Sequence, residues 1–309
     1  MIIFVCNFQN TIIAGGVRTL YRHAELLEDM GLETLVVAPS GPPNNFQTRA
    51  KVFSSGNLSL PPNARIVFPE VVPENDGLTG ALLSWPAERH IFVQNHFYCF
   101  QGARVVPRHR ELGITDVYAS GNIISSNLKD IFQIDAPVIP YCIDPEFFKP
   151  TEKVQQIAYM PRKLPLDAAY LKDAFAAAYP TFASIPWIPI EGCNEEQVAA
   201  ILSRSTIFLS FSHREGFGLP PLEAMAAECL VVGFHGSGGL EYATEVNGFW
   251  YSYDQLAGVV HGLANAARLA EQQPPLYFQM IDAGRRTTAQ YAPATVKTAL
   301  WRYFSKNSK

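Results

Sequence analysis

The sequence predicts an α/β protein whose parallel strands fall into two doubly wound domains. Three observations carry this expectation. Short apolar runs of strand length recur along the chain, from Ile2 to Cys6, Glu33 to Ala38, Thr115 to Ser120, Gln156 to Met160, Ile207 to Phe211 and Cys229 to Phe234. They read as strands buried on both faces, as in parallel sheets. Helical patterns separate them, which is the βαβ alternation of α/β folds. Finally, 309 residues suffice for two domains of ordinary size.

The elements follow in order. After the first strand, Asn7 to Ala14 is a loop, and Gly15-Gly16 opens a helix. In it Val17, Leu20, Tyr21, Ala24, Leu27 and Met30 recur at helical spacing, and Gly31 stops it. The second strand follows. Residues 39–80 are rich in Pro, Asn and Ser, with one strand at Arg65 to Phe68. Such an irregular segment serves either as acceptor-binding surface or as plain surface loop. Arg89 to His96 is a strand with a polar exit, and a helix spans about Asn122 to Phe132. The stretch from Pro137 to Pro150 links the domains, with the boundary at Lys149: domains 1–149 and 150–309. In the second domain Leu166 to Ala178 is an Ala-rich helix, Ile185 to Ile190 a peripheral strand because of its prolines, and Glu195 to Ser203 a helix. From Tyr253 onward the chain reads as helical, broken at Pro274-Pro275 and Pro293.

Composition narrows the function. Apolar residues make up 48% and charged residues 17%, as in a globular protein with a real core. The net charge of −4 implies no general nucleic-acid affinity. No apolar run approaches the ~20 residues that span a bilayer, and the start lacks the basic n-region of a signal peptide. The five cysteines, at 6, 99, 142, 193 and 229, show no metal-ligand spacing, so reduced thiols and a cytoplasmic protein are expected. The spacing G-x-G-x-x-G is absent, which leaves dinucleotide binding without support.

The most informative stretch is Glu215-Gly216-Phe217-Gly218-Leu219-Pro220-Pro221-Leu222-Glu223, between two predicted strands. Pro220 and Pro221 suit a helix's first turn, and Leu222 to Glu228 reads as a short helix. Glu215 then lies just past a strand end, where ligands of open α/β sheets collect. Glu223 lies near the helix start. The amides of Phe217, Gly218 and Leu219 precede the prolines, and amides at a helix N-terminus form an anion site. One turn thus offers donors for a phosphate and two acceptors for hydroxyls, the partners a phosphorylated sugar needs. The plainer reading is a capped turn with one Glu at the positive end of the helix dipole. Farther on, the glycines at 233, 236, 238 and 239 imply a backbone held close to something.

The filled pattern EGFGLPPLEAMA, followed by a strand and Gly238-Gly239, resembles the donor site of the family 4, GT-B-type glycosyltransferases. The linker from Pro137 to Pro150 resembles that family's inter-domain signature, IPNGVDxxxFxP. Tyr141 and Cys142 replace its Asn-Gly, while Asp144 and Phe148 stay in register; Asp144 is a functional residue or a linker turn residue. The resemblance implies two Rossmann-like domains facing across a cleft, the first on the acceptor side and the second on the donor side. The last helix would cross back to the first domain with Trp301, Tyr303 and Phe304 as its apolar face.

The resemblance also implies roles. Glu215 would meet a hydroxyl of the donor sugar and Glu223 the ribose, with Phe217, Gly218 and Leu219 presenting amides. His96, at a strand exit, would reach the donor sugar. Gly16 would approach a phosphate, or else both glycines merely serve their turn. Arg162 matches the family's diphosphate-binding Arg. Five residues on, where the family has Lys, stands Asp167; Lys163 takes over that role or is solvent-exposed. Gly238-Gly239-Leu240-Glu241 is one residue shorter than the family's Gly-Gly-x-x-Glu element. No Asp-x-Asp occurs, so no metal and no cofactor is expected beyond the nucleoside-diphosphate sugar as co-substrate.

The reading is a metal-independent, retaining glycosyltransferase with a glycan, lipid-linked or small-molecule acceptor, in polysaccharide biosynthesis. A nucleotide-sugar epimerase or hydrolase of the same fold, or a silent partner subunit, are the alternatives. Lys306 and Lys309 at the chain end would allow peripheral contact with a membrane.

Overall fold

The structure, a computed structural model, describes residues 1–12, 14–54, 58–73 and 77–305; Lys306 and Lys309 lie outside the described residues. In chain order the strands and helices begin with β1 (Ile2–Val5), α1 (Gly15–Glu28), β2 (Thr34–Val37), β3 (Val52–Phe53), β4 (Arg65–Pro69) and α2 (Gly77–Ser84). Then come β5 (Glu88–Val93), β6 (Asp116–Ala119), α3 (Asn122–Phe132), β7 (Val154–Tyr159), α4 (Pro165–Ala178), β8 (Trp187–Pro189) and α5 (Glu195–Arg204). The rest are β9 (Ser205–Ser212), α6 (Leu219–Ala226), β10 (Leu230–His235), α7 (Gly236–Gly239), β11 (Gly248–Tyr251), α8 (Leu256–Gln272), α9 (Pro275–Ala289) and α10 (Pro293–Ser305). They form two compact units, residues 1–142 with 293–309, and residues 143–292.

The first unit holds a parallel sheet in the order β3-β2-β1-β4-β5-β6. Successive side chains of a strand point to opposite faces, so each apolar run feeds two cores. Ile3, Val5, Ile66, Phe68, Ile91 and Val93 fill one, with Leu82 of α2 and Ile124 and Leu128 of α3. Ile2, Phe4, Val36, Val67, Phe92 and Tyr118 fill the other, with Leu20, Ala24 and Leu27 of α1. Helix α10 joins that second core through Val296, Leu300 and Phe304, one residue per helical turn. Of the expected face of α10, Phe304 is buried and Tyr303 packs on this core with its hydroxyl 2.9 Å from His90 Nδ1, but Trp301 is corrected: it is 46% exposed. Lys297 of α10 also pairs with Asp29 beyond the end of α1, at 2.8 Å.

The second unit holds a parallel sheet in the order β11-β10-β9-β7-β8. Ile157, Ile207, Leu209, Leu230, Val232 and Phe234 pack against Leu171 and Phe175 of α4 and Val259 and Leu263 of α8. β8, with its prolines, is an edge strand, as expected. Pro275 and Pro293 start α9 and α10, where a missing N–H costs nothing.

The units divide after Cys142, not after Lys149. The Ile143 N–H donates to the Tyr291 carbonyl, the Thr151 N–H to that of Ser203, and Phe148 is buried, so the linker stretch is tied to the second unit. Asp144 is a turn residue there: its Oδ1 accepts from the Glu146 N–H at 3.0 Å. Four elements went unread in the sequence: β3 inside residues 39–80, α2 at their end, the short α7, and β11 just before the helical run.

Two buried groups of the first unit respond to pH in opposite senses. Burial pushes the Glu70 carboxyl up to about 7, against backbone N–H groups of Glu70, Gln94 and Asn95 that oppose the shift. Burial lowers His23 to about 4. A raised carboxyl contributes stability that is full below its unfolded value and lost as pH rises through 7. A depressed His contributes stability present above its unfolded value and lost as pH falls toward 4. Between about 4.5 and 6.5 the folded and unfolded chains bind equal protons at these two sites, and the slopes cancel. Glu70→Gln should remove one slope: its stability will rise with pH across that window, by up to about 3 kcal/mol relative to wild type. Urea melts at pH 4.5, 5.5 and 6.5 test this, and parallel curves for the two proteins would refute it.

Candidate active site

In an open parallel sheet, the crevice lies where the strand order reverses, at the carboxyl ends of the strands. In the second sheet this point falls between β7 and β9, since the chain runs from β7 to β8 on one side and then returns to β9 on the other. The stretch after β7 is a tight 3-10 turn, Pro161–Lys163. The stretch after β9 is the turn from His213 to Gly218 that leads into α6. Sequence order alone therefore brings the two adjacent bases next to the Glu-Gly-Phe-Gly turn.

The side chains complete the approach. Lys163 Nζ lies 2.5 Å from Glu215 Oε1, with the lysine 44% and the glutamate 14% exposed. A pair this accessible adds at most about 1 kcal/mol to folding; what it contributes is position. Lys163 is thus exposed, as one of its two readings had it, and at the same time touches the turn. Arg162 is exposed and forms no ion pair among the described residues. Asp167, where the resembled family has Lys, sits in the first turn of α4 and is a hydrogen-bond partner of Tyr253. The Tyr253 ring stacks on His213 at 4.4 Å.

Helix α6 starts at Leu219, three residues earlier than expected, with both prolines in its first turn. Glu223 is accordingly one turn inside the helix and only 4% exposed. Phe217, Gly218 and Leu219 are buried, and Gly218 adopts φ +89°, a conformation open to glycine.

The glycines of α7 explain themselves here. A Cβ on Gly238 would stand 2.3–2.5 Å from the backbone of Phe217, and one on Gly236 2.9 Å from the His213 carbonyl. The close neighbour of this glycine cluster is thus the Glu215–Gly218 turn itself. Ser237 adds two anchors: its N–H donates to the His213 carbonyl at 3.1 Å, and its Oγ to the Glu215 carbonyl at 2.7 Å. The Tyr242 hydroxyl donates to the Gly218 carbonyl at 2.6 Å. Ser237 and Tyr242 were not singled out from sequence; the glycines beside them were the only signal.

In the first unit, β5 ends at Val93 and His96 opens a 3-10 turn, with Asn95 Oδ1 accepting from the Phe97 N–H at 3.1 Å. His96 Nδ1 is buried without a hydrogen-bond partner among the described residues, and burial lowers the pKa of the ring. Its neutral form is therefore favoured, with one nitrogen open to a ligand. Gly16 lies in the first turn of α1. Gln94 Nε2 donates to the Gly16 carbonyl at 3.0 Å, and a Cβ on Gly16 would stand 3.2 Å from Gln94 Oε1. Gln94 was not singled out from sequence. Among the described residues no cluster of three or more His, Cys, Asp or Glu could hold a metal.

Two parallel-sheet α/β units, one with charged groups gathered at its switch point, define the GT-B architecture. Solved structures share it over nearly the whole chain. A glycosyltransferase from Rickettsia africae ESF-5 has a TM-score of 0.69 at 13% identity, covering 99% of both chains. Anabaena HepE in complex with UDP-glucose has a TM-score of 0.68 at 12% identity, again covering 99% of both. Residues 188–287 match the family "Glycosyl transferases group 1". An alpha-1,6-glucosyltransferase of Actinobacillus pleuropneumoniae serotype 7 (strain AP76) is 28% identical over 246 residues, 76% of this chain and 72% of that protein. The protein is a glycosyltransferase, and the group 1 match falls within its second unit.

The glycine contacts make a graded prediction. Gly238→Ala drives a side chain into the Phe217 backbone and should lower stability by about 3 kcal/mol or more. Gly80→Ala, in α2 with nothing within 4 Å of its Cβ, should raise it by roughly 0.5–1 kcal/mol. Chemical denaturation of both variants checks the pair; equal effects would refute the packing argument.

Proposed function

We propose that this enzyme moves a hexosyl group, retaining its anomeric configuration, from a nucleoside-diphosphate sugar to a hydroxyl of a glycan, lipid-linked or small-molecule acceptor. UDP-glucose is the first donor to try. The carrying observation is the Lys163–Glu215 contact at the switch point, beside the N-terminus of α6. A departing nucleoside diphosphate gains negative charge as the glycosidic bond breaks. Arg162, Lys163 and the amides opening α6 are positive partners for that charge, and the amides, fixed by the helix, give electrostatic preorganisation without a metal. Glu215, oriented by Lys163, accepts from a hydroxyl of the donor sugar. Glu223 accepts from the ribose. The family 4 resemblance alone adds His96, whose Nδ1 is buried without a partner among the described residues, for the sugar and Gly16 for a phosphate. The family 4 resemblance supports retention, with the leaving phosphate assisting deprotonation of the acceptor. The HepE complex with UDP-glucose and the alpha-1,6-glucosyltransferase relative support the choice of base and sugar.

A thermal-shift screen over UDP-, GDP-, ADP- and dTDP-sugars tests the donor. A ligand at a hundred times its Kd adds about 2.7 kcal/mol to the folded state, so UDP-glucose should give the largest shift. No shift with any of them would sink the proposal. Activity should persist in EDTA; a loss restored by Mg²⁺ or Mn²⁺ would exclude the metal-free mechanism. Donor incubated without acceptor should stay intact, whereas free sugar or an epimer would point to hydrolysis or epimerisation.

The two carboxylates should separate by ligand. Glu223→Ala weakens UDP and UDP-glucose by a similar factor. Glu215→Ala leaves UDP binding nearly unchanged and lowers kcat with UDP-glucose more than it raises KM. Calorimetric titration of both ligands, beside melting temperatures, checks this; a Glu215→Ala protein that loses UDP as badly as UDP-glucose contradicts the division.

A further inference from the structure

Tyr242 lies outside every motif that marks the site, yet its hydroxyl ends at the centre of the donor turn. It donates to the Gly218 carbonyl at 2.6 Å from a fully buried position. The Gly218 carbonyl and the Leu219 N–H belong to one peptide unit. In a planar trans peptide those two groups point in opposite directions. A donor that holds the carbonyl inward therefore turns the Leu219 N–H outward. Leu219 is the first residue of α6, whose N–H has no partner within the helix.

Several features make the arrangement rigid. Gly218 sits at φ +89° and ψ +80°, so its peptide orientation is not the one an ordinary helix entry would impose. The Tyr242 ring packs beside Phe217, at 5.6 Å between centroids, and beside Trp250, at 6.1 Å. The Tyr242 carbonyl in turn accepts from Asn247 Nδ2 at 2.7 Å. A Cβ built on Gly218 would stand 3.0 Å from the Tyr242 hydroxyl, 3.1 Å from Glu215 Oε2 and 3.3 Å from Ser212 Oγ. The hydroxyl and the carboxylate are thus near neighbours around one α-carbon. Burial and the charges of Glu215 and Glu223 hold the Tyr242 pKa well above its ordinary value, so the proton it donates stays in place.

We infer that Tyr242 is a positioning residue of the donor site: by taking the Gly218 carbonyl it aims the Leu219 N–H at the donor's diphosphate without touching the donor itself. This rests on the donor-site reading above. It predicts that losing one hydroxygen-bonding atom, remote from the ligand, weakens the anion half of the site and spares the rest.

The test compares Tyr242→Phe, which keeps the ring packing, with Asn247→Ala, which loosens the same segment and leaves the hydroxyl. Calorimetric titrations with UDP, inorganic pyrophosphate and uridine are run on both and on wild type, beside melting temperatures. For Tyr242→Phe, UDP and pyrophosphate should both weaken by about tenfold, the worth of one hydrogen bond to a charged group. Uridine should be unchanged. Asn247→Ala should melt at least as early as Tyr242→Phe yet bind pyrophosphate like wild type. Tyr242→Phe with wild-type pyrophosphate affinity overturns the inference, as does an equal loss in Asn247→Ala, which would reduce the effect to loosening. Should Tyr242→Phe not fold, Tyr242→Trp provides the second variant lacking the hydroxyl, and unimpaired pyrophosphate binding there counts equally against it. A wild-type protein that binds neither UDP nor pyrophosphate overturns the inference together with the donor-site reading, whereas wild-type binding retained in the variants removes only the role of Tyr242.

Discussion

The donor turn stands on a contact between two backbones. Gly238 brings one turn of α7 so close to Phe217 that no side chain fits between them. That closeness lets Ser237 reach the carbonyls of His213 and Glu215, and it brings Tyr242, a few residues on, to the Gly218 carbonyl. A loop of this kind would otherwise be free to reorient its peptides at little cost. Here the carbonyls of His213, Glu215 and Gly218 are held by the following segment. The outcome is a turn whose amides and carboxylate are set before any ligand arrives, the condition under which electrostatic stabilisation needs no reorganisation.

The bases follow a different logic. The resembled family sets Arg and Lys five residues apart, one before the helix and one inside it. In this chain the second position is Asp167, which engages Tyr253, while Lys163 comes from the 3-10 turn itself. A lysine has a long flexible stem and a compact charge. Such a side chain reaches a fixed carboxylate from several backbone positions, and here Lys163 reaches Glu215 from the 3-10 turn.

The sequence made the two sheets legible because their strands are buried on both faces and written almost wholly in apolar residues, as in Ile2 to Val5 and Ser205 to Ser212. The turn was legible because Glu215, Gly218, the prolines and Glu223 form one dense pattern. What stayed hidden had weaker local signals. β3 is two residues long, and α2 follows a Pro- and Asn-rich stretch. β11, Gly248 to Tyr251, is rich in aromatics that serve an edge strand, with Trp250 bonded to Asn247. On α10, Trp301, Tyr303 and Phe304 were expected as one face; helical phase sets Phe304 in line with Val296 and Leu300 and turns Trp301 outward. Gln94 and Tyr242 were invisible because their roles arise from residues distant in sequence.

Helix α10 also has a meaning for synthesis. The core that Val296, Leu300 and Phe304 help to fill begins with β1 and α1, near the other end of the chain. The second unit is one continuous segment and can close as soon as its own residues have left the ribosome. The first unit is interrupted by it. The apolar face of its sheet under α10 stays uncovered until α10 itself has been translated. Nascent chains are therefore most exposed to aggregation in the half made first, an inversion of the usual order in which domains are completed.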